Sequence, residues 1–261
     1  MEQEQKVIRC EDSPQGIFSA IYTAYEKKLN PNITRIELLP GEDYRLFTEY
    51  FTVESDLEKA KKVQNTINQR FGGITAHGIW CGIYSKDREK ADIIYHTIAR
   101  GLAKKYRGEL IDYLQDPYIM KLSKLKNNVS KEAHHFKGFL RFAQLEQGIL
   151  FAKIAPKNYI LPLLAPHFLD RFGEENFMIY DEIHEVCLFH EAKKEAYLYH
   201  PIGEEQIQWK EGKERLAKEE MEIRELFQTF HKTIAIDHRK NLSLQKSLLP
   251  LRFRGNMIDF P

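Results

Sequence analysis

The side chains that could do acid–base or metal chemistry are concentrated between residues 131 and 184. An imidazole titrates near neutral pH, so His135 or His167 could form an acid–base pair with Asp181. A metal site would need several ligands within about 2.2 Å of one ion, and no HExxH or HxH spacing brings them together. We therefore predict no metal and no cofactor, and the residues leave open whether the protein is an enzyme. The concentrated side chains are His134, His135, Arg141, His167, Arg171, Asp181 and His184.

Arginines next to aromatic residues favour a different chemistry, the binding of an anionic polymer. A guanidinium can bind phosphate through two parallel hydrogen bonds, and a neighbouring ring offers a stacking face. The same dipeptides also arise when Phe faces the core and Arg faces solvent, so both interpretations stay open. The candidate nucleic-acid-binding residues are Lys121, Lys124, Lys131, Arg141, Arg171, Arg252 and Arg254.

The net charge is +1, but the charges are segregated along the chain. Residues 121–137 contain five lysines and one glutamate, and residues 231–254 contain six Lys or Arg and one acid. Residues 174–225 reverse the balance, with fifteen acids against seven Lys or Arg. Such segregation is compatible with a basic face for an anionic partner, or simply with solvated helix faces.

The composition is that of a globular protein with a substantial core, since 43% of the 261 residues are hydrophobic. The three cysteines, Cys10, Cys81 and Cys187, stand far apart without a CxxC pair, unlike a disulfide framework or a zinc site. No apolar run reaches about 18 residues, and no basic leader opens the chain. We expect a cytoplasmic protein without membrane contact.

Periodicity and turn residues predict an α+β fold, with an antiparallel sheet of about five strands packed with several amphipathic helices. Helical spacing is expected to give way at Gly138 to a hairpin that turns at Gln147-Gly148. Three more strands are predicted at residues 176–181, 186–191 and 196–200. We treat residues 1–261 as a single domain, which could divide into an N-terminal helical lobe (1–115) and a sheet-containing lobe (116–261).

Three local expectations concern helix boundaries and faces. Residues 71–74 (FGGI) are predicted to form a turn. Prolines restrict the helix that follows residue 160, and a regular helix is expected to start near Pro166. Residues 212–236 are predicted to form a long charged helix. Its expected core positions are Leu216, Ile223, Phe227, Phe230 and Ile234.

Three pieces of the chain, EAHHFKGFLRF, AKIAPKNYILPLLAPHFLDRF and FMIYDEIHEVCLF, resemble in this order a bacterial family described as probable DNA metabolism proteins. The opening DSPQGIFSAIYTAYE and the piece VESDLEKAKKV also resemble it, so the resemblance covers nearly the whole chain. It implies an accessory role beside a radical-SAM protein of DNA modification or repair, and related domains are fused to uracil-DNA-glycosylase-like domains. The family pattern includes His135, Arg141, His167, Arg171 and Asp181 and assigns no catalytic role to them.

These observations lead to one main hypothesis and two alternatives. The main hypothesis is an accessory protein of DNA metabolism or repair that binds nucleic acid and a radical-SAM partner. The first alternative is an enzyme acting on DNA or nucleotides with a His/Asp acid–base pair, for which the catalytic candidates are His135, His167 and Asp181. The second is a protein–protein adaptor without nucleic-acid contact.

Overall fold

The structure is a computed structural model that describes residues 5–41, 43–103, 109–203, 209, 215–234 and 241–254. It confirms the α+β fold class, with a five-stranded mostly antiparallel sheet and a three-stranded parallel sheet. The chain forms two compact units, Met1–Ser130 and Lys131–Pro261, and the boundary falls inside one helix. Whether they fold as one domain stays a prediction. None of the helices in the described part of the chain is long and apolar enough to cross a membrane.

The first unit combines a small parallel sheet with helices. Its strands lie in the order β2-β1-β3, and Ser13 caps the first helix by accepting the Gly16 N–H at 3.0 Å. Buried side chains such as Ile8, Ile17 and Ile94 form its core. The described elements are β1 (Gln5–Cys10), α1 (Pro14–Glu26), β2 (Thr34–Leu38), β3 (Thr48–Thr52), α2 (Leu57–Arg70), α3 (Gly73–Tyr84), α4 (Lys90–Ala103) and the start of α5 (Pro117–Phe139).

This unit departs from the sequence analysis in two places. Strand β2 was not among the predicted strands, because five residues between turn segments give too short a pattern. The turn predicted at 71–74 is wrong, since α3 begins at Gly73. The Glu109 carboxylate accepts the N–H groups of Ile74 and Thr75 and so satisfies donors at the start of this helix. A cap supplied from a distant residue leaves no local sequence signal.

The second unit is built on the five-stranded sheet, in the order β4-β5-β6-β7-β8. Its pairs are antiparallel except for β5 and β6, which run parallel because a helix crosses between them. The three strands predicted after residue 175 are confirmed within one or two residues. The described elements are the end of α5, β4 (Ala143–Gln144), β5 (Leu150–Ile154), α6 (Leu161–Phe172), β6 (Phe177–Asp181), β7 (Val186–His190), β8 (Tyr197–Tyr199), α7 (Lys218–Ile234) and α8 (Leu242–Leu248).

The predicted hairpin is present but much shorter than expected. Helix α5 continues to Phe139, and β4 contains only two residues, so the strand expected from Gly138 is wrong. Phe136 and Leu140 are both buried, which extends the helical stripe past the glycine. The Arg141 guanidinium then donates to the carbonyls of Gly138 and Leu140, at 3.3 and 3.2 Å, at the helix end.

The start predicted for α6 near Pro166 is also wrong, because α6 begins at Leu161. Pro162 lies in the first turn, where the missing N–H costs no hydrogen bond. Pro166 does remove an interior donor. The helix keeps this defect because Leu161, Leu164 and Phe168 form a buried stripe.

The long charged helix forms as α7, but its apolar positions are not core. Ile223, Phe227, Phe230 and Ile234 are 43–62% exposed, and Leu216 lies before the helix in an isolated bridge with Leu145. The predicted residues 212–214 and 235–236 lie outside the described ones. Periodicity shows that a helix has an apolar stripe, and it does not show that another element covers that stripe.

We expect Gly16→Ala to destabilise the protein by about 1–3 kcal/mol, because the new Cβ would lie 2.5 Å from the backbone carbonyl oxygen of Glu11. Gly73→Ala is the matched control at another helix start, where a Cβ meets nothing within 4 Å. It should be neutral or stabilising by up to about 1 kcal/mol. Urea denaturation measures both. Equal effects of the two substitutions would contradict the tight packing at Gly16.

Candidate functional site

The candidate site lies where β5 and β6 end side by side. Because these strands are parallel, their carboxyl ends meet at one edge of the sheet, with Ile154 opposite Asp181. The Glu182 N–H donates to the Ile154 carbonyl at 3.0 Å and joins the two ends. The loop after β5 carries Tyr159, and the turn after β6 carries His184. Polar groups from two chain segments are thereby placed together.

Asp181 holds the imidazole of His184. The carboxylate is fully buried, and its Oδ1 accepts the backbone N–H groups of Ile183 and His184 at 3.0 and 3.1 Å. Its Oδ2 lies 2.6 Å from His184 Nδ1. A carboxylate only accepts hydrogen bonds, so Nδ1 must carry the proton of this contact. Nε2 is then left to exchange protons, and the His184 side chain is 26% exposed.

Tyr159 packs against this pair. Its ring meets the His184 imidazole edge to face, with centroids 5.4 Å apart. Burial, followed by the negative charge of Asp181, raises the pKa of the Tyr159 phenol. The phenol therefore stays protonated at neutral pH and can act only as a neutral hydrogen-bonding group.

The buried carboxylate of Glu132, on α5, fixes the loop that carries Tyr159. It accepts the backbone N–H groups of Lys157 and Asn158 at 3.1 and 2.9 Å and the Asn158 side-chain amide at 2.6 Å. The same carboxylate lies 3.6 Å from the Arg252 guanidinium. Glu132 therefore connects α5, the loop after β5 and the C-terminal segment, by which we mean residues 241–254.

The C-terminal segment adds an aromatic group beside Arg252. The buried ring of Phe253 lies 5.0–5.3 Å, centroid to centroid, from the rings of His135, Phe136 and Phe139. The Arg252 guanidinium lies 4.5 Å from the centre of the Phe253 ring. A cation over a ring face is an attractive arrangement that also keeps the guanidinium in place.

His135 and His167 are half-buried in cationic surroundings. One nitrogen of each ring, His135 Nδ1 and His167 Nε2, is buried without a hydrogen-bond partner. Desolvation first, and then Arg252 and Lys131, lower the pKa of His135. Desolvation first, and then Lys137 and Arg171, lower the pKa of His167. Both imidazoles are therefore neutral at neutral pH.

The predicted pairing of His135 or His167 with Asp181 does not form. The imidazole that bonds Asp181 is His184, three residues further along the chain. The sequence signal was the piece DEIH, in which a strand-ending aspartate precedes a histidine across a tight turn. Glu132 was also missed, although it is the one acid in the lysine-rich segment 121–137.

The predicted cationic residues fall into different environments. Lys121 and Lys124 belong to the first unit, and Lys121 is paired with Glu89 at 2.9 Å, a hydrogen bond that raises the Lys121 pKa. Lys124 is exposed. In the second unit, Arg254 donates to the carbonyls of Gln245 and Leu249, both at 3.1 Å, and so supports the local backbone.

Besides Arg141, three predicted cations are exposed in the second unit. They are Lys131, Arg171 and Arg252, and Arg171 lies 5.5 Å from the Phe172 ring centre. Arg141 is exposed as well, but its guanidinium bonds the end of α5. Arg141 and Arg254 thus bond backbone carbonyls, whereas Arg252 faces the Glu132 carboxylate at 3.6 Å.

A cysteine nucleophile is not supported by the geometry. Cys81 Sγ lies 3.4 Å from His77 Nε2 and 3.6 Å from Ser130 Oγ, but the thiol is fully buried. Burial raises the pKa of Cys81, and it raises the pKa of Cys10 to about 12. Both sulfurs stay protonated and weakly nucleophilic. Within the described ranges, no group of three His, Cys, Asp or Glu side chains could hold a metal ion.

We expect Glu132→Gln to cost about 2–3 kcal/mol of stability, because the amide cannot accept all three N–H groups and brings two donors of its own. Glu174→Ala is the control, since Glu174 and its partner Lys193 are 77% and 72% exposed and the pair is worth at most about 1 kcal/mol. Urea denaturation compares them. A Glu132→Gln protein as stable as the control would show that this carboxylate does not hold the loop.

The lowered pKa values of His135 and His167 predict a pH dependence of stability. The unfolded chain binds more protons than the folded one at a pH below the ordinary imidazole value of 6.5. The free energy of unfolding should therefore fall as the pH drops through about 6.5. His135→Gln with His167→Gln should flatten this fall, measured by urea denaturation from about pH 7.5 to about pH 5. The exposed His200→Gln is the control, and an unchanged slope in the double variant would contradict the prediction.

Of three comparisons with known proteins, one places the chain in a family. No curated protein matches it. Among solved structures, a DHH domain of a member of the s1p family of ribosomal proteins is similar over 73% of this chain and 74% of that chain, at 12% identity. Its TM-score of 0.30 is too low for any argument about fold or function. A family model matches residues 88–259, which is more than half of the sequence. The chain belongs to this family, which is described as a domain of unknown function, DUF4130.

Proposed function

We propose that this protein is an accessory protein of DNA metabolism or repair that binds nucleic acid through its second unit. The binding surface would comprise the cations Lys131, Lys137, Arg171 and Arg252 with the half-buried ring of Phe139, which packs on the buried Phe253, and we call it the cationic–aromatic surface. The observation that carries the proposal is that cations lie near two half-buried histidines, each with one buried ring nitrogen that lacks a hydrogen-bond partner.

The surface carries four cations, of which Arg252 faces the carboxylate of Glu132 at 3.6 Å. Glu132 is the buried acid beside it, and its oxygens are occupied by three N–H groups and by contact with Arg252. Lys131 and Arg171 are also exposed to solvent. Exposed cations bind phosphate and release its condensed counterions. The half-buried ring of Phe139 would add a stacking face for a base.

The DNA context and the protein partner rest on sequence resemblance. The three central pieces resemble probable DNA metabolism proteins that accompany a radical-SAM protein, so a radical-SAM protein is the partner we propose. The acidic segment 174–225 is the surface we propose for it. Some of its acids are already paired within the segment, as Glu174 is with Lys193 and Glu191 with Lys194. Exposed acids in the described part of the segment, such as Glu175, Glu195 and Glu225, would make the docking charge.

We expect the affinity for duplex DNA to fall steeply with salt, with a slope of log affinity on log salt of about −0.9 per neutralised phosphate. Arg171→Ala and Lys131→Ala should each weaken binding and reduce that slope by about 1. Lys193→Ala is the matched control, because Lys193 is equally exposed but paired with Glu174 at 3.0 Å. Fluorescence anisotropy with a labelled duplex measures all four proteins.

A salt-independent affinity would overturn the proposal, as would equal losses for Lys193→Ala and Arg171→Ala. Binding of the radical-SAM protein with no binding of DNA would favour the adaptor instead. The same titration with single-stranded DNA tests the rings, because stacking needs unpaired bases.

A further inference from the structure

The contact between Asp181 and His184 is more than the turn between β6 and β7 requires. Oδ1 of Asp181 already accepts both turn N–H groups, from Ile183 and His184, and that alone closes the turn. Oδ2 is left for the imidazole at 2.6 Å. Burying a carboxylate completely is costly, and here one of its two oxygens is devoted to orienting a side chain. The result is an imidazole of fixed tautomer with its Nε2 directed away from the carboxylate.

We propose that His184 is the catalytic acid–base residue of a phosphodiester-hydrolysing site at the carboxyl ends of β5 and β6. Asp181 is a positioning residue that fixes the tautomer and stabilises the imidazolium, and Tyr159 is a positioning residue that packs against the ring. This proposal rests on the proposed function for its substrate, a nucleic acid.

We infer the substrate class from the cations that lie on the loop beside His184 and on the segment that Glu132 links to this loop. The loop after β5 carries Tyr159 and, two residues earlier, the exposed cation Lys157. That loop is bonded to Glu132, which also contacts Arg252 of the cationic–aromatic surface. Glu132 therefore contacts both Arg252 and the loop whose Tyr159 ring packs against His184. A phosphodiester fits both parts, since it needs cations for binding and proton transfer for cleavage.

The chemical step uses one water molecule. His184 Nε2 takes a proton from water as the water oxygen forms a new bond to phosphorus. The bond from phosphorus to the leaving ester oxygen breaks, and that oxygen takes the electron pair and then the proton from the imidazolium. One diester and one water give one phosphate monoester and one alcohol, and His184 returns to its neutral form. General acid–base catalysis of this kind contributes about 10²–10⁴-fold in rate.

The experiment measures hydrolysis of bis(p-nitrophenyl) phosphate and of a fluorescent single-stranded DNA oligonucleotide by the full-length protein. His184→Gln should lower kcat by about 10²–10⁴-fold. Asp181→Asn should lower kcat with little change in KM, because it disturbs orientation and leaves binding in place. Ile183→Ala is the control, since this turn residue is 58% exposed and carries no titratable group. It should keep the wild-type rate.

Rescue distinguishes a catalytic imidazole from a structural one. In His184→Gly, added imidazole should restore part of the hydrolysis, which a turn-stabilising role would not allow. Thermal melting accompanies each variant, so that a lowered rate in an unfolded protein is not counted as support. No hydrolysis of either probe by the wild-type protein overturns the proposal, as does an unchanged rate in folded His184→Gln. The salt titration tests DNA binding independently of hydrolysis. A protein that binds DNA but does not hydrolyse either probe would therefore overturn only the catalytic proposal.

Discussion

The buried carboxylate of Glu132 joins parts of the second unit that are far apart in sequence: helix α5, the loop after β5 and the C-terminal segment. An ion removed from water loses several kcal/mol of solvation unless hydrogen bonds and a countercharge replace that solvation. Here three N–H groups and the Arg252 guanidinium do so. The same contacts that stabilise this charge hold Asn158, and therefore its neighbour Tyr159, at the edge of the sheet. Without Glu132 the loop would have donors without acceptors.

A single parallel pair in a mostly antiparallel sheet determines where the polar groups meet. Had β5 and β6 been antiparallel, the loop after β5 and the turn after β6 would lie at opposite edges. The crossover through α6 makes the two strands parallel and brings their carboxyl ends together. Two buried carboxylates then act on this edge in different ways. Glu132 fixes backbone, and Asp181 fixes both a turn and an imidazole.

Local patterns were enough to predict the α+β class and the three strands after residue 175, since alternation and turn residues are local signals. They failed at the ends of two helices, where a distant residue or the burial of a side chain decided the boundary. The start of α3 is capped by Glu109, and the end of α5 depends on the buried Leu140 and on Arg141. The prolines of α6 were judged by their local cost, which burial of Leu164 and Phe168 outweighs. For α7, the apolar stripe was visible in the sequence, but its exposure was not.

The candidate site shows the same limit, and the three histidines make the reason clear. A sequence shows that His135, His167 and His184 are titratable, but their chemistry depends on the charge that each one faces. Burial first, and then neighbouring cations, lower the pKa values of the first two, which favours neutral rings. A buried carboxylate faces the third and fixes the orientation of its imidazole. In the two proposals, neighbouring cations therefore suit His135 and His167 to a binding surface, and the contact with Asp181 suits His184 to proton transfer. That division of roles depends on which charges the fold brings near each ring, and the order of residues along the chain does not contain it.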